Sequence, residues 1–196
     1  MNFISVFASG SGSNAEHLVA YFKKHPSIRV GLILTNNPKA GVIDRARLAG
    51  VPVKVFNRRD FYESDTVLAA LREYRTGYIV LAGFLWLAPD YLLEKYPVLN
   101  IHPALLPAHG GKGMYGMHVH RAVIAGGETQ SGITIHEVDS EYDRGRILFQ
   151  AVCPVAPDDT PEQLAARIHE LEYRHFPLVV EKWITGNRQR DAAAML

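Results

Sequence analysis

Two side chains of complementary chemistry stand two residues apart at Asn100 and His102, within Leu99-Asn100-Ile101-His102-Pro103-Ala104-Leu105-Leu106-Pro107. In an extended backbone, residues i and i+2 face the same side. An amide donor and an imidazole on one side can hold a developing oxyanion and exchange a proton. Pro103 and Pro107 stiffen the exit from this run, because proline fixes φ and supplies no backbone donor. A third group, Asp143, lies in the polar segment Asp139-Ser140-Glu141-Tyr142-Asp143-Arg144-Gly145. A carboxylate facing His102 favours the imidazolium and raises its pKa. A turn aspartate bonding its own backbone is equally compatible with the spacing. His136, in the strand-like run before this segment, either positions the loop and reaches a ligand or serves the structure alone.

A second chemical element is Ala8-Ser9-Gly10-Ser11-Gly12-Ser13-Asn14, between an apolar run and a helical stripe. Small residues let the backbone approach a ligand, and free amides at a helix start attract anions. Ser13 or Asn14 is the expected N-cap. The loop lacks the Lys-Ser/Thr ending of a Walker motif and the spacing of GxGxxG; it reads as a phosphate-binding loop, since serine and asparagine add donors, or as a plain tight turn between strand and helix. His118-Val119-His120 alternates like a pair of metal ligands, but no Cys or Glu cluster completes a shell, and no metal is expected. Gly110-Gly111-Lys112-Gly113 reads as a substrate flap or as a flexible surface loop. Phe84-Leu85-Trp86-Leu87-Ala88 suits either a pocket for a flat heterocycle or plain core.

The elements that must position these groups follow from apolar periodicity. Strand-like runs at Phe3 to Ala8, Val30 to Leu34, Val51 to Phe56 and Tyr78 to Ala82 alternate with helical patterns from Asn14, over Ala40 to Ala49, and over Phe61 to Tyr74. Gly50 stands where a helix-terminating glycine belongs. Alternation of this kind predicts an α/β fold: a Rossmann-like, mainly parallel sheet with helices on both faces. Asn100 and His102 then fall at the carboxyl end of a fifth strand, the edge at which open α/β sheets bind ligands. Beyond them, Val119 to Ala125 reads as helix. Ser131 to Val138 and Ile147 to Val155 read as strands that pair antiparallel and extend the sheet. A long helix, or two, starts at Thr160-Pro161, is kinked or interrupted at Pro177, and gives way to a polar tail after Gly186.

Composition narrows the function classes. The chain has 196 residues, 47% hydrophobic and 21% charged, with a formal net charge of +1. That suits one globular domain and argues against broad electrostatic capture of nucleic acid. The single cysteine, Cys153, excludes an internal disulfide and a multi-cysteine zinc site. No apolar run reaches the ~20 residues of a membrane span. The start lacks the basic region of a secretory signal. The expectation is a cytoplasmic protein acting on small molecules, without nucleic acid or membrane partners; monomer and homodimer stay open.

The ordered set GSGSN, Ala82-Gly83-Phe84, Asn-Ile-His-Pro-Ala-Leu-Leu-Pro, Gly132-Ile133-Thr134-Ile135-His136 and Tyr142-Asp143-Arg144-Gly145 resembles the folate-dependent formyltransferases. Within them the GSGSN loop points to the glycinamide ribonucleotide enzymes of purine synthesis. The resemblance implies one formyltransferase domain over residues 1–185. Residues 1–100 form its phosphate-binding half, 101–185 its catalytic and folate-binding half, and 186–196 a C-terminal tail. It implies formyl transfer from 10-formyltetrahydrofolate, as co-substrate, to the amine of 5-phosphoribosylglycinamide, without a metal. By position, Asn100, His102 and Asp143 match the catalytic trio. Gly12, Ser13 and Asn14 match the segment contacting the phosphoribosyl glycinamide, Glu172 the ribose contact and His169 a polar phosphate contact. Leu85, Trp86, Leu87 and Ala88, with Asn100, match the folate site, and Arg59 a further folate contact. The chain departs from many members in lacking a basic residue near Trp86 and in a longer, glycine-richer segment from Ala108 to Gly116. Methionyl-tRNA formyltransferase and formyl-folate hydrolase are expected to carry additional domains, which 196 residues do not accommodate. A non-catalytic nucleotide-binding module is the remaining alternative.

Overall fold

The computed structural model describes the backbone of residues 1–194 and the side chains of residues 1–187. Seven strands form one sheet: β1 (Asn2–Phe7), β2 (Ile28–Thr35), β3 (Val53–Val55), β4 (Thr76–Ala82), β5 (Val98–His102), β6 (Gln130–Glu137) and β7 (Ile147–Pro154), in spatial order β3-β2-β1-β4-β5-β6-β7. The pairings from β3 through β5 are parallel. β6 and β7 add antiparallel, as the second-half periodicity predicts. Side chains alternate between the faces of a strand, and β2 shows it: Ile33 joins one core, while Leu32 and Leu34 join the other. The first core packs under α1 (Ser13–Phe22), α2 (Val42–Ala49), α6 (Met117–Ala125) and α7 (Pro161–Ala194), through Leu18, Phe22, Val123, Ile168 and Val180. The second gathers Phe7, Phe61, Leu68 and Leu71 under α3 (Arg58–Tyr62) and α4 (Thr66–Glu73).

Chain order reverses direction at β1. The chain runs outward through β2 and β3 on one side, then returns to β4 and β5 on the other. The loops after β1 and β4 therefore diverge and leave a crevice at the carboxyl ends, the place where ligands bind in such sheets. Ser9 bridges the two loops: its N–H donates to the Gly83 carbonyl at 3.0 Å, and its hydroxyl accepts from the Leu85 N–H at 3.1 Å.

Local chemistry explains where the elements differ from the sequence reading. The helix expected over Phe61 to Tyr74 is two helices. A capping box between Asn57 and Asp60 starts α3 at Arg58, and the polar Glu63–Asp65 link separates it from α4. A short helix, α5 (Asp90–Leu93), carries too few residues to show a periodic stripe. The N-cap of α1 is Gly12, not Ser13 or Asn14, with φ 79° and no side-chain cap. A Cβ there would lie 2.4 Å from Val42 Cβ, so glycine is required on two counts. α7 runs without interruption through buried Pro177, since the tertiary core holds the helix where one backbone donor is missing. It also continues past Gly186 to Ala194, where the tail was expected; the Thr185 hydroxyl, bonded to the carbonyls of Glu181 and Lys182, keeps to the helix. Met195 and Leu196 of that tail lie outside the described residues.

The proline-bracketed segment after β5 is mounted on Thr134, which is fully buried in β6. Its hydroxyl donates to the Ala104 carbonyl at 2.7 Å and accepts from the Leu106 N–H at 3.0 Å and from Gln150 Nε2 at 2.9 Å. Thr134→Val leaves a buried N–H and a buried carbonyl without this partner. The expected loss is about 2–4 kcal/mol of stability, measured as a lower denaturant midpoint with an unchanged slope.

Candidate active site

A cavity of about 370 Å³ opens at the crevice between the β1 and β4 loops, within the usual size of small-molecule sites. Both ends of the sequence motifs reach it. The loop of Ser9 to Asn14 forms one end; Asn100, His102, His136 and Asp143 form the other.

The end around Asn100 and His102 is built from β5, β6 and two loops. Antiparallel register places Asn100 opposite His136 and His102 opposite Thr134. His136 Nδ1 lies 2.8 Å from the Glu137 carbonyl, an acceptor, so Nδ1 carries the proton. Its Nε2 then accepts from Asn100 Nδ2 at 3.0 Å, which fixes the orientation of the amide. Asn100 Nδ2 also lies 3.4 Å from Asp143 Oδ1. Asp143 Oδ2 accepts from the Gly111 N–H at 2.9 Å and stands 3.6 Å from His102 Nδ1. The other imidazole nitrogen of His102, Nε2, donates to the His109 carbonyl at 2.8 Å. Asp143 and His109 both hold left-handed backbone conformations, with φ 57° and 52°. Non-glycine residues adopt such angles at some cost, and rarely without a positional reason. The base of the Asp143 loop is clamped by a bidentate Arg146–Glu137 pair at 2.8 and 2.9 Å. At Gly145 a Cβ would come 1.8 Å from the Glu137 carbonyl oxygen, so only glycine lets the loop pass.

Electrostatics at this end differ from the sequence expectation in one respect. Burial pushes the His102 pKa down from its ordinary 6.5 by more than Asp143 and the His109 carbonyl raise it, with His136 lowering it further. The resting imidazole is therefore neutral at pH 7, not the imidazolium expected from the carboxylate alone. A side chain 3% exposed has lost most of the water that would solvate a charge. Burial likewise opposes ionisation of Asp143. The contact with His136, the nearness of His102 and the Gly111 N–H outweigh it and hold the carboxyl below its ordinary 3.8.

At the other end, Glu172 of α7 is 5% exposed and carries two hydrogen bonds to one oxygen: Asn14 Nδ2 and His169 Nδ1, each at 2.9 Å. The α1–α7 contact thus fixes Asn14 beside the phosphate-type loop. The hydrogen bond that His169 donates to Glu172 raises the His169 pKa above 6.5, against burial. His169 stacks on Tyr173, and Tyr173 on His17, with centroids 5.9 and 3.9 Å apart. Gly12 and Ser13 line this end together with Asn14.

Leu85, Trp86, Leu87 and Ala88 form the apolar wall. Trp86 also packs on Phe56 and Phe61, at 6.0 and 5.8 Å, so the segment serves core and cavity together. The structure does not bring Arg59 to the cavity; it is exposed on α3. Its neighbour Arg58, also outside the cavity lining, packs on two rings, with its guanidinium carbon 5.0 Å from the Tyr62 ring centre and 5.9 Å from that of Trp86. Sequence reasoning missed the Arg58 contact with Trp86, the Gly111 N–H and the His109 carbonyl. Backbone groups leave no trace in residue types, and adjacent arginines on a short helix differ only in direction. It also set His120 aside with the metal question. His120 is buried in the cavity wall; no cluster of three or more metal-ligating side chains occurs among the described residues.

Comparison with known proteins adds an independent line. The family model described as formyl transferase matches residues 2–180. The chain is 42% identical over 191 residues to the chloroplastic phosphoribosylglycinamide formyltransferase of Arabidopsis thaliana, covering 90% of this chain and 63% of that protein. It is 32% identical to the phosphoribosylglycinamide formyltransferase of Haemophilus influenzae, covering 97% of this chain and 90% of that one. The chain thus spans less than two thirds of the plant relative and nearly all of the bacterial one. The crystal structure of phosphoribosylglycinamide formyltransferase from Streptococcus pneumoniae superimposes with a TM-score of 0.82 at 34% identity, covering 94% of this chain and 99% of that chain.

Glu172→Gln removes the charge that holds the His169 proton. The His169 pKa is expected to fall back toward 6.5, read by an NMR titration of the imidazole resonances. The stability that His169 contributes is fully present below about pH 6.5 and is lost as pH rises through its raised folded value. This pH window should disappear from the denaturation profile of the variant. His102 acts in the opposite sense, since a depressed pKa loses stability as pH falls.

Proposed function

The chain belongs to the formyl transferase family, and from that premise we propose that it transfers the formyl group of 10-formyltetrahydrofolate to the amine of 5-phosphoribosylglycinamide. The observation that carries this reading is the two-ended cavity. One end offers backbone amides, Asn14 and the Glu172–His169 pair for a phosphorylated sugar; the other gathers Asn100, His102 and Asp143. The wall of Leu85 to Ala88 offers an apolar surface for the pterin.

The amine attacks the formyl carbon, a C–N bond forms, and the carbonyl oxygen becomes an oxyanion. Asn100 Nδ2, one N–H of which is held by His136, turns its other N–H from Asp143 Oδ1 onto that oxygen; one such donor is typically worth ~3–4 kcal/mol. The amine nitrogen is now cationic and must lose a proton. His102 Nδ1, unprotonated at rest and facing Asp143, takes it, and the resulting imidazolium is paired with the carboxylate. A carboxylate held below its ordinary pKa stays ionised throughout, which suits this role better than that of the proton carrier. The proton then passes to N10 of the folate as the C–N10 bond breaks and the carbonyl re-forms. Holding both substrates in one cavity contributes up to roughly 7–11 kcal/mol by proximity. Neither a metal nor a covalent enzyme intermediate is needed.

The same reading takes the protein as cytoplasmic, a monomer or homodimer, and independent of nucleic acid. Its formal net charge of +1 supports the last point, and no described helix is long and apolar enough to cross a membrane.

The direct test is formylation of glycinamide ribonucleotide by 10-formyltetrahydrofolate. Binding of both without product would leave a nucleotide-binding module instead. Asp143→Asn should lower kcat by roughly 100- to 10,000-fold while both KM values stay within about threefold, the pattern of lost proton management. Asn14→Ala should raise KM for the ribonucleotide by roughly tenfold and leave KM for the folate unchanged, because it removes one polar contact at the sugar–phosphate end only.

A further inference from the structure

His120 is a buried histidine whose polar atoms serve nothing in the protein. It stands on α6 in the cavity wall and is 2% exposed. Nδ1 is closed off from solvent and has no hydrogen-bond partner. The hydrogen bonds of the described residues include none to Nε2 either. Buried polar atoms are nearly always paired, so an unpaired one needs a reason. Its polar neighbours around the cavity are already engaged: Glu172 with Asn14 and His169, Asn100 with His136, and His102 with His109.

Its location supplies the reason. His120 lines the same cavity as His102 on β5 and as His169 and Glu172 on α7, and all three act on it electrostatically. In the substrate proposed above, the group between the sugar and the reacting amine is a carboxamide. We propose that His120 Nε2–H donates a hydrogen bond to the carbonyl oxygen of that carboxamide, so that His120 selects the amide link and sets the reach of the amine toward His102. This inference rests on the proposed reaction and names a further substrate contact within it.

The protonation state agrees. Burial lowers the His120 pKa, His169 and His102 lower it further, and the Glu172 carboxylate compensates only in part. The ring is neutral, with one N–H. Nδ1 faces the interior without an acceptor, where a bare lone pair is less costly than an N–H, so Nε2 carries the proton and offers it to the cavity.

The test compares glycinamide ribonucleotide with ribose 5-phosphate, which has the sugar and the phosphate but no carboxamide. His120→Leu should raise KM for the ribonucleotide roughly 10- to 100-fold. KM for 10-formyltetrahydrofolate and inhibition by ribose 5-phosphate should stay within about twofold. His120→Asn, which returns an N–H donor, should recover part of the loss. An unchanged KM in His120→Leu would overturn the contact, and equal weakening of ribose 5-phosphate would move it to the sugar. If the leucine variant does not fold, the wild-type protein decides. With 15N-labelled histidine, the His120 Nε2–H resonance should shift on adding glycinamide ribonucleotide and not on adding ribose 5-phosphate; a shift with both, or with neither, refutes the proposal. Failure of the wild-type protein to formylate glycinamide ribonucleotide would count against the reaction, and the same resonance would still report on the contact.

Discussion

The cluster around Asn100 and His102 depends on one desolvated carboxylate. Asp143 sits at 10% side-chain exposure and is shared by a backbone N–H, an amide and two imidazoles. Those partners come from β5, β6 and the glycine-rich segment after Pro107, elements far apart in the chain. An ionised carboxylate is stable at such burial only when its oxygens are matched by donors. The constraint acts in both directions. The partners keep Asp143 charged, and Asp143 holds the partners in place: it faces His102 Nδ1 and anchors the glycine-rich segment at Gly111.

The sheet makes that convergence rigid. Register between β5 and β6 pairs Asn100 with His136 and puts Thr134 under the proline-bracketed turn. The neighbouring strand thereby supplies the orienting partner of one site residue and the mount of the segment that follows the other. The two strained backbones, at His109 and Asp143, lie in the loops that close on His102 from either side. Strain of this kind persists where surrounding bonds over-determine it, and the Glu137–Arg146 clamp is such a constraint.

Charge is distributed unequally along the cavity. In the cluster around Asn100, burial drives His102 toward neutrality while Asp143 stays charged. Beside the loop of Ser9 to Asn14, whose amides suit an anion, the balance reverses: the hydrogen bond to Glu172 raises the His169 pKa. Burial and partners set this difference, since the two residues have the same chemistry in isolation.

The alternation of apolar runs, the turn residues and the Asn-x-His-Pro spacing were enough to determine a mainly parallel sheet, its antiparallel extension and the position of Asn100 and His102 at a strand end. These are local signals, encoded in residue type and periodicity. The capping box that splits α3 from α4 was also local, but it was hidden within a longer apolar pattern. What the sequence left open was decided by contacts between distant segments. Whether Asp143 faces His102, whether His136 is structural or orienting, which arginine reaches Trp86, and whether His102 rests charged all depend on three-dimensional neighbours and on how much water they exclude. A pKa or an unpaired nitrogen is a property of an environment, and that environment forms only when strands and helices from the whole chain close around the same cavity.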